Sequence, residues 1–259
     1  MPEQIDIPAS FAGGAEVAGK RVVITGASRG LGRLLAHAFS SCGSLVALAA
    51  RTEADLKALA DELPGPSIVL SGDVTDEEFN ESVADAVVAE WGGLDVWICN
   101  AGISPIVAGP RGTDPAVWRQ ILDLNLTGAF LGARAASRVM SEGGRLILTG
   151  SVLGERPREG LSAYSASKAG LVGMAKALAL DLAPSGITVN VVAPGWFESP
   201  MADAWKNRPE RAAEVLGHTA QGRWGAPTDL AGAYQFLASD SSAFVTGIVL
   251  DVDGGYLLK

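Results

Sequence analysis

Residues 21–32 read RVVITGASRGLG. RVVIT (21–25) is a short run of apolar and β-branched residues without alternation, the pattern of a strand covered on both faces. Gly26, Gly30 and Gly32 follow at once, and a helical pattern runs from Leu31 to about Ser41. Glycines in a turn between strand and helix let backbone N–H groups approach a pyrophosphate, and the helix N-terminus favours its negative charge. The spacing is G-x-x-x-G-x-G. The stretch predicts the opening strand, turn and helix of a dinucleotide-binding α/β fold.

The alternation continues along the chain. LVALAA (45–50) is a second strand, followed by a helix with Leu56, Leu59, Ala60 and Leu63 on one face and closed by Pro64–Gly65–Pro66. SIVLSGDV (67–74) is a third strand, Asp76 to Trp91 a helix, and LDVWICN (94–100) a fourth strand. One long helix is expected from about Pro115 to Met140, then a strand RLILTGS (145–151) and a helix from Tyr164 to about Leu182. TVNVVAP (188–194), a helix over 228–239 and IVLDVDG (248–254) complete the series. Strands alternating with helices predict a single-domain, Rossmann-type, doubly wound parallel sheet with helices on both faces. Residues 1–18 are polar and Gly/Ala-rich and read as a loose N-terminal arm, which leaves 19–259 as one domain.

Composition narrows the partners. The chain has 259 residues, 48% hydrophobic and 19% charged, with a formal net charge of −9. An acidic surface disfavours nucleic acid and anionic membrane, and leaves open a small ligand in a locally basic pocket. No apolar run approaches the roughly 18 residues that span a bilayer. The N-terminus, MPEQIDIPAS, lacks the basic start and apolar core of a signal peptide, so a cytoplasmic location is expected. Cys42 and Cys99 sit beside apolar strands and are expected as reduced, buried thiols. No Cys, His and carboxylate cluster has metal-ligand spacing. Of the two histidines, His37 falls in a helix and reads as structural, whereas His218 lies in a segment where a substrate contact is conceivable.

A second stretch carries chemistry: SVLGERPREGLSAYSASK (151–168). If Tyr164 opens a helix, Lys168 lies one turn later on the same face. An ammonium beside a phenol favours the phenolate and lowers its pKa, which suits proton exchange with an alcohol or carbonyl oxygen near neutral pH. The Ser151 hydroxyl is placed to steady charge on the same oxygen.

Ser151 thirteen residues ahead of Tyr164, YSASK, TGASRGLG, NAG (100–102), NLTG (125–128) and the PG at 194–195 together resemble the classical short-chain dehydrogenase/reductase family. The resemblance runs from about Lys20 to Tyr256. It implies a catalytic tetrad of Asn125, Ser151, Tyr164 and Lys168. Tyr164 would exchange the proton, Ser151 orient the oxygen, and the main-chain carbonyl of Asn125 hold a water leading to Lys168. It also implies phosphate neighbours in Thr25, Gly26, Ser28, Arg29, Gly30, Leu31 and Gly32, and an adenine contact from Asp73 and Val74. Asn100, Ala101 and Gly102 would lie under the adenine ribose. Lys168 and Tyr164 would face the nicotinamide ribose, and Pro194 and Gly195 the carboxamide.

Ala50 stands where NAD-preferring relatives usually carry an acid that binds the ribose 2′-hydroxyl and repels a 2′-phosphate. Arg51 follows it, and Arg29 lies in the glycine turn. Two guanidinium groups able to reach one phosphate predict a preference for NADP(H). If both are merely solvated, NAD(H) is accepted as well.

Residues about 195–224 occupy the place of the family's substrate loop. Trp196, Phe197, Met201 and Trp205 are expected either to form an apolar lid or to pack against the core. Ile103, Val152, Leu153 and Glu155 would line the other side, unless Glu155 simply faces solvent. The resemblance embraces sugar-acid dehydrogenases and 3-oxoacyl-carrier-protein reductases. The latter dock an acidic partner with basic residues where this chain holds Ser141–Glu142 and Ser185, which favours a free small ketone or alcohol. A non-catalytic NADP(H)-sensing protein is the reading from another class. The family's enoyl reductases space Tyr and Lys more widely than YSASK. Relatives are commonly tetramers, so a homotetramer or homodimer is expected. Small residues at 129, 132, 133, 136 and at 169, 173, 177 would allow close helix packing.

Overall fold

A computed structural model describes residues 14–104, 107–199 and 202–259. Seven strands form one sheet: β1 (Arg21–Thr25), β2 (Leu45–Ala50), β3 (Ser67–Ser71), β4 (Val96–Cys99), β5 (Arg145–Thr149), β6 (Thr188–Pro194) and β7 (Val249–Val252). Their order is β3-β2-β1-β4-β5-β6-β7, with every pairing parallel. The helices are α1 (Gly30–Ser41), α2 (Glu53–Glu62), α3 (Glu77–Trp91), α4 (Pro115–Leu122), α5 (Gly128–Val139), α6 (Ser162–Leu182), α7 (Asp203–Lys206), α8 (Pro209–His218) and α9 (Thr228–Ala238). This is the predicted doubly wound Rossmann-type architecture. The strand order reverses between β1 and β4, so the chain leaves these two strands in opposite directions and opens a crevice at their C-terminal ends.

Successive strand residues face opposite sides of a sheet, and here both sides are apolar. Val23, Ala47, Trp97, Leu146 and Val189 pack with Val83 and Val87 of α3, Ala133 and Ala136 of α5 and Leu171 of α6. Val22, Ile24, Leu48 and Ile98 pack on the other side with Leu35, Phe39, Leu56, Leu59, Leu230 and Tyr234. A third cluster, Val152, Leu153, Leu161, Trp196, Trp205, Val215 and Tyr256, comes from connecting segments and not from strands.

Several elements depart from the predicted bounds, each for a local reason. β3 stops at Ser71 and not at Val74, because the Asp73 carboxylate accepts from Thr75 N (2.9 Å) and Oγ1 (2.8 Å) and turns the chain towards α3. β4 is shorter than 94–100. At its start the Asp95 carboxylate is engaged by Arg21 (N 2.8, Nε 2.8 and Nη2 2.6 Å), and at its end Asn100 N donates to Thr25 Oγ1 (2.9 Å). The long helix over 115–140 is interrupted by a π turn, Asp123–Thr127, between α4 and α5. α6 begins at Ser162, so Tyr164 is its third residue and not its first. Residues 14–17 form a 3-10 turn whose Val17 is buried in the core, so the far end of the predicted loose arm is packed; residues 1–13 lie outside the described ones. Cys99 is buried as expected, while Cys42 is only half-buried, its sulfur 3.2 Å from Gln235 Nε2.

Candidate active site

The ends of β1 and β4 are stitched together. Thr25 Oγ1 donates to the Ile98 carbonyl (3.2 Å) and accepts from the main-chain N–H of Asn100 (2.9 Å) and Ala101 (3.2 Å). Asn100 Nδ2 returns a bond to the Thr25 carbonyl (2.9 Å). The three glycines of the turn do different jobs. Gly26 has φ +68°, and a Cβ there would stand 2.9 Å from Ala101 Cα. At Gly32 a Cβ would run into the Gly26 carbonyl and stand 2.7 Å from Asn100 Nδ2. Gly30 has φ +56°, and a Cβ there would meet nothing within 4 Å, so this side of the turn is open. α1 has no side-chain cap, which leaves its first N–H groups available to an anion at the open side. The turn therefore fits a pyrophosphate.

Around that turn, Ser28 and Leu31 are partly exposed, and Arg29 and Arg51 are exposed with no ion pair among the described residues. Ala50 closes β2 with Arg51 directly after it, and the first carboxylate beyond, Glu53, opens α2 and pairs with Lys57 (2.7 Å). Asp73 is half-buried in its turn, and Val74 is buried against Gly128. Gly195 donates its N–H to the Val252 carbonyl (2.9 Å) beside Pro194, tying this turn to β7. Gly102 joins the two halves of the site: a Cβ there would lie 3.3 Å from Asn125 Oδ1 and 3.6 Å from Lys168 Nζ.

The four tetrad residues converge at the C-terminal ends of β4 and β5. Asn125 sits in the π turn and spends its amide on structure. Nδ2 donates to the Ile103 carbonyl (3.0 Å) and Ser167 Oγ (3.0 Å), and Oδ1 accepts from Ile103 N (2.8 Å). Asn125 itself sits in a widened turn of the kind often found at functional sites. Ser151 follows β5 in extended conformation and bonds to Leu153 N (3.2 Å). Lys168 is buried, and its Nζ donates to the Thr149 carbonyl (2.7 Å).

The electrostatics correct one expectation. Burial pulls the Lys168 ammonium down to about 8, against the Cys99 thiol, which favours the charge. Burial pushes the Tyr164 phenol up, with a Ser151 hydrogen bond opposing. Tyr164 is therefore not made more acidic by Lys168 in this arrangement. The ammonium is bonded to Thr149 and lies 5.7 Å from the centre of the phenol ring, so loss of solvation outweighs attraction.

On the substrate side, Val152 and Leu153 are buried in the third cluster, against which Tyr164 and Trp224 also pack. Trp196 and Trp205 lie in it with ring centroids 5.0 Å apart, and Trp196 meets Trp224 at 5.9 Å and Tyr256 at 6.4 Å. Phe197 does not join them. It bridges to Gly225 and packs against the sheet side that holds α1 and α9, because the next residue along an extended segment points the other way. Glu155 faces solvent, Ile103 is held by Asn125, and Met201 lies outside the described residues. His218 ends α8, with Nδ1 3.3 Å from Arg156 Nη2 and its ring 6.1 Å from that of Tyr256.

A family model described as enoyl-(acyl carrier protein) reductase matches residues 26–257. The 3-oxoacyl-[acyl-carrier-protein] reductase FabG of Escherichia coli (strain K12) is 39% identical over 239 residues, 92% of this chain and 97% of that protein. FabG of Haemophilus influenzae is 38% identical over 245 residues, 93% of this chain and 99% of its own length. A dehydrogenase/reductase from Sinorhizobium meliloti 1021 superposes with a TM-score of 0.87 at 37% identity, covering 93% of this chain and 97% of its own. A short-chain type dehydrogenase/reductase from Mycobacterium marinum gives 0.88 at 34%, covering 96% and 100%. The chain belongs to the short-chain dehydrogenase/reductase family.

Members of this short-chain dehydrogenase/reductase family bind a nicotinamide cofactor and act as oxidoreductases on CH–OH groups. Sequence reasoning missed two groups of residues around the site. One is Thr149, whose carbonyl holds Lys168 and whose Oγ1 lies 2.9 Å from the buried Tyr234 hydroxyl. Thr149 lies in none of the quoted motifs, and its link to Lys168 runs through its main chain. The other is a set of arginines, Arg156, Arg158 and Arg211, gathered around Trp205 and Tyr256. Two basic residues between Ser151 and Tyr164 in an acidic chain were the available signal.

Proposed function

We propose that this protein is an NADP(H)-dependent oxidoreductase that interconverts a small ketone and a secondary alcohol, with Tyr164 as the acid and base. The observation that carries the reading is the convergence of Ser151, Tyr164 and the buried Lys168, with Asn125 behind them, beside a glycine turn open to a pyrophosphate. The nicotinamide, when bound, supplies or accepts the hydride. Tyr164, kept protonated by burial, gives its proton to the oxygen of the reduced carbonyl and recovers it on oxidation of the alcohol. Ser151 donates to the same oxygen and orients it. Lys168, with its pKa lowered to about 8, passes protons between Tyr164 and the Asn125 carbonyl side. Arg29 and Arg51, exposed and without carboxylate partners among the described residues, support the choice of a 2′-phosphate. The protein acts in the cytoplasm as a homotetramer or homodimer.

A 3-oxoacyl-carrier-protein reductase is the second reading, favoured by the FabG relatives at 38–39% identity. Against it stands one surface. Glu142 and Ser185 are exposed, and the Glu142 side chain lies over Gly186, so an acid occupies the place where an acidic carrier would dock.

Absorbance at 340 nm, followed with NADPH and then NADH over cyclic ketones, keto-sugar acids and a β-ketoacyl thioester, tests the proposal. Turnover of small ketones, faster with NADPH, is expected. Turnover of the thioester alone gives the second reading, and none at all with cofactor bound gives a cofactor-sensing protein.

A further inference from the structure

A cavity of about 580 Å³ opens between residues 107–109, residues 156–160, α8 and Tyr256. It has the size of a small-molecule site, and none of Asn125, Ser151, Tyr164 or Lys168 lines it. Its wall brings three arginines, Arg156, Arg158 and Arg211, together with Glu159 and Glu214 in a protein of net charge −9. Arg158 is nearly buried, pairs with Glu214 and packs 4.9 Å from the centre of the Trp205 ring. Its charge is therefore answered within the chain. Arg156 donates to the carbonyl of Tyr256 (2.9 Å) and to the terminal carboxyl group of Lys259, and meets His218 Nδ1 at 3.3 Å, so its charge too is answered. Arg211 differs, for it has no carboxylate partner among the described residues. Arg211 lies 4.6 Å from the centre of the Trp205 ring. Glu159 is the cavity's other acid, exposed and without an ion pair among the described residues.

We infer that this cavity holds the anionic end, a carboxylate or a phosphate monoester, of the substrate whose carbonyl is reduced at Ser151 and Tyr164. The inference rests on the oxidoreductase reading and adds the substrate class. Two features join cavity and tetrad. Residues 156–160 belong to the one segment that runs from Ser151 to Tyr164. Trp205 lines the cavity and also belongs to the apolar cluster against which Tyr164 packs. A substrate with an apolar middle can thus lie along Trp205, carbonyl at one end and anion at the other. Arginine is suited to that anion because its planar fork donates two parallel bonds to a carboxylate or phosphate.

The test compares kcat/KM for 5-oxohexanoate with its methyl ester, and for acetoacetyl-phosphopantetheine with acetoacetyl-pantetheine. One anionic member is expected to win by about tenfold or more, the scale of a hydrogen bond to a charged group; which pair shows it tells carboxylate from phosphate. Arg211→Met should bring that ratio towards one, with Arg211→Lys retaining only part of it, since an ammonium lacks the two-bond fork. Equal kcat/KM within both pairs overturns the inference. A second readout needs no turnover: quenching of tryptophan fluorescence by glutarate or inorganic phosphate at constant ionic strength, weakened in Arg211→Met. If no ketone is reduced, the oxidoreductase reading fails, and the fluorescence titration alone decides the anion site. Absent quenching, or quenching that Arg211→Met leaves unchanged, overturns that too.

Discussion

Tyr164 and Lys168 are displaced in opposite directions by the same cause, burial, and each displacement has a measurable consequence. The chain has three tyrosines, so the difference in 295 nm absorbance between wild type and Tyr164→Phe isolates one phenol. That difference should develop above pH 10 in the cofactor-free protein; a transition near neutrality would show that the ammonium outweighs burial. For Lys168 the folded pKa of about 8 lies below the ordinary 10.5. Between those values the unfolded chain binds a proton that the folded one does not, so this group adds stability as pH rises through the window, and none below it. Fully developed, the effect is up to about 3 kcal/mol. The stability of wild type relative to Lys168→Met, from urea unfolding, should therefore grow between pH 8 and 10.5. A flat difference would contradict the assignment. The identities of this pair were legible from YSASK and Ser151, but the direction of the tyrosine shift was not. It depends on which acceptor the ammonium chooses, and that acceptor is a main-chain carbonyl.

At the scale of elements, the glycine turn separates close packing from backbone freedom. Gly32→Ala places a methyl against the Gly26 carbonyl and Asn100, and should cost about 1–3 kcal/mol by overpacking. Gly30→Ala enters open space and meets only the left-handed backbone, a cost of about 1 kcal/mol. Urea unfolding should rank Gly32→Ala as the more damaging, and the reverse order would contradict the packing described. RVVITGASRGLG announced strand, turn and helix because glycine spacing and apolar runs are local signals. The π turn at Asp123–Thr127 was hidden inside a continuous helical pattern, since one widened turn barely disturbs the period. The opposite facing of Trp196 and Phe197 was hidden as well, because two adjacent aromatics carry no periodicity that says which side each takes.

At the scale of the molecule, sequence distance decides what can be read. Arg156 and Arg211 are brought together by the path of the chain after β5 and β6, so net charge gave no hint of arginines lining one cavity. The same holds for the two small-residue faces. Ala129, Ala133 and Ala136 are buried in this chain's own core and Gly132 is covered by Trp97, which removes that face from any subunit contact. Ala169, Gly173 and Ala177 of α6 remain exposed, next to Leu180 at 78% exposure. If α6 is the assembly face, Gly173→Glu should lower the mass seen by light scattering, and an unchanged oligomer would exclude it. The central claim, that Tyr164 performs acid–base chemistry beside a bound nicotinamide, is tested most directly by Tyr164→Phe. The account predicts NADPH binding retained by fluorescence titration, with ketone reduction down by at least about a hundredfold. Reduction at the wild-type rate would contradict it.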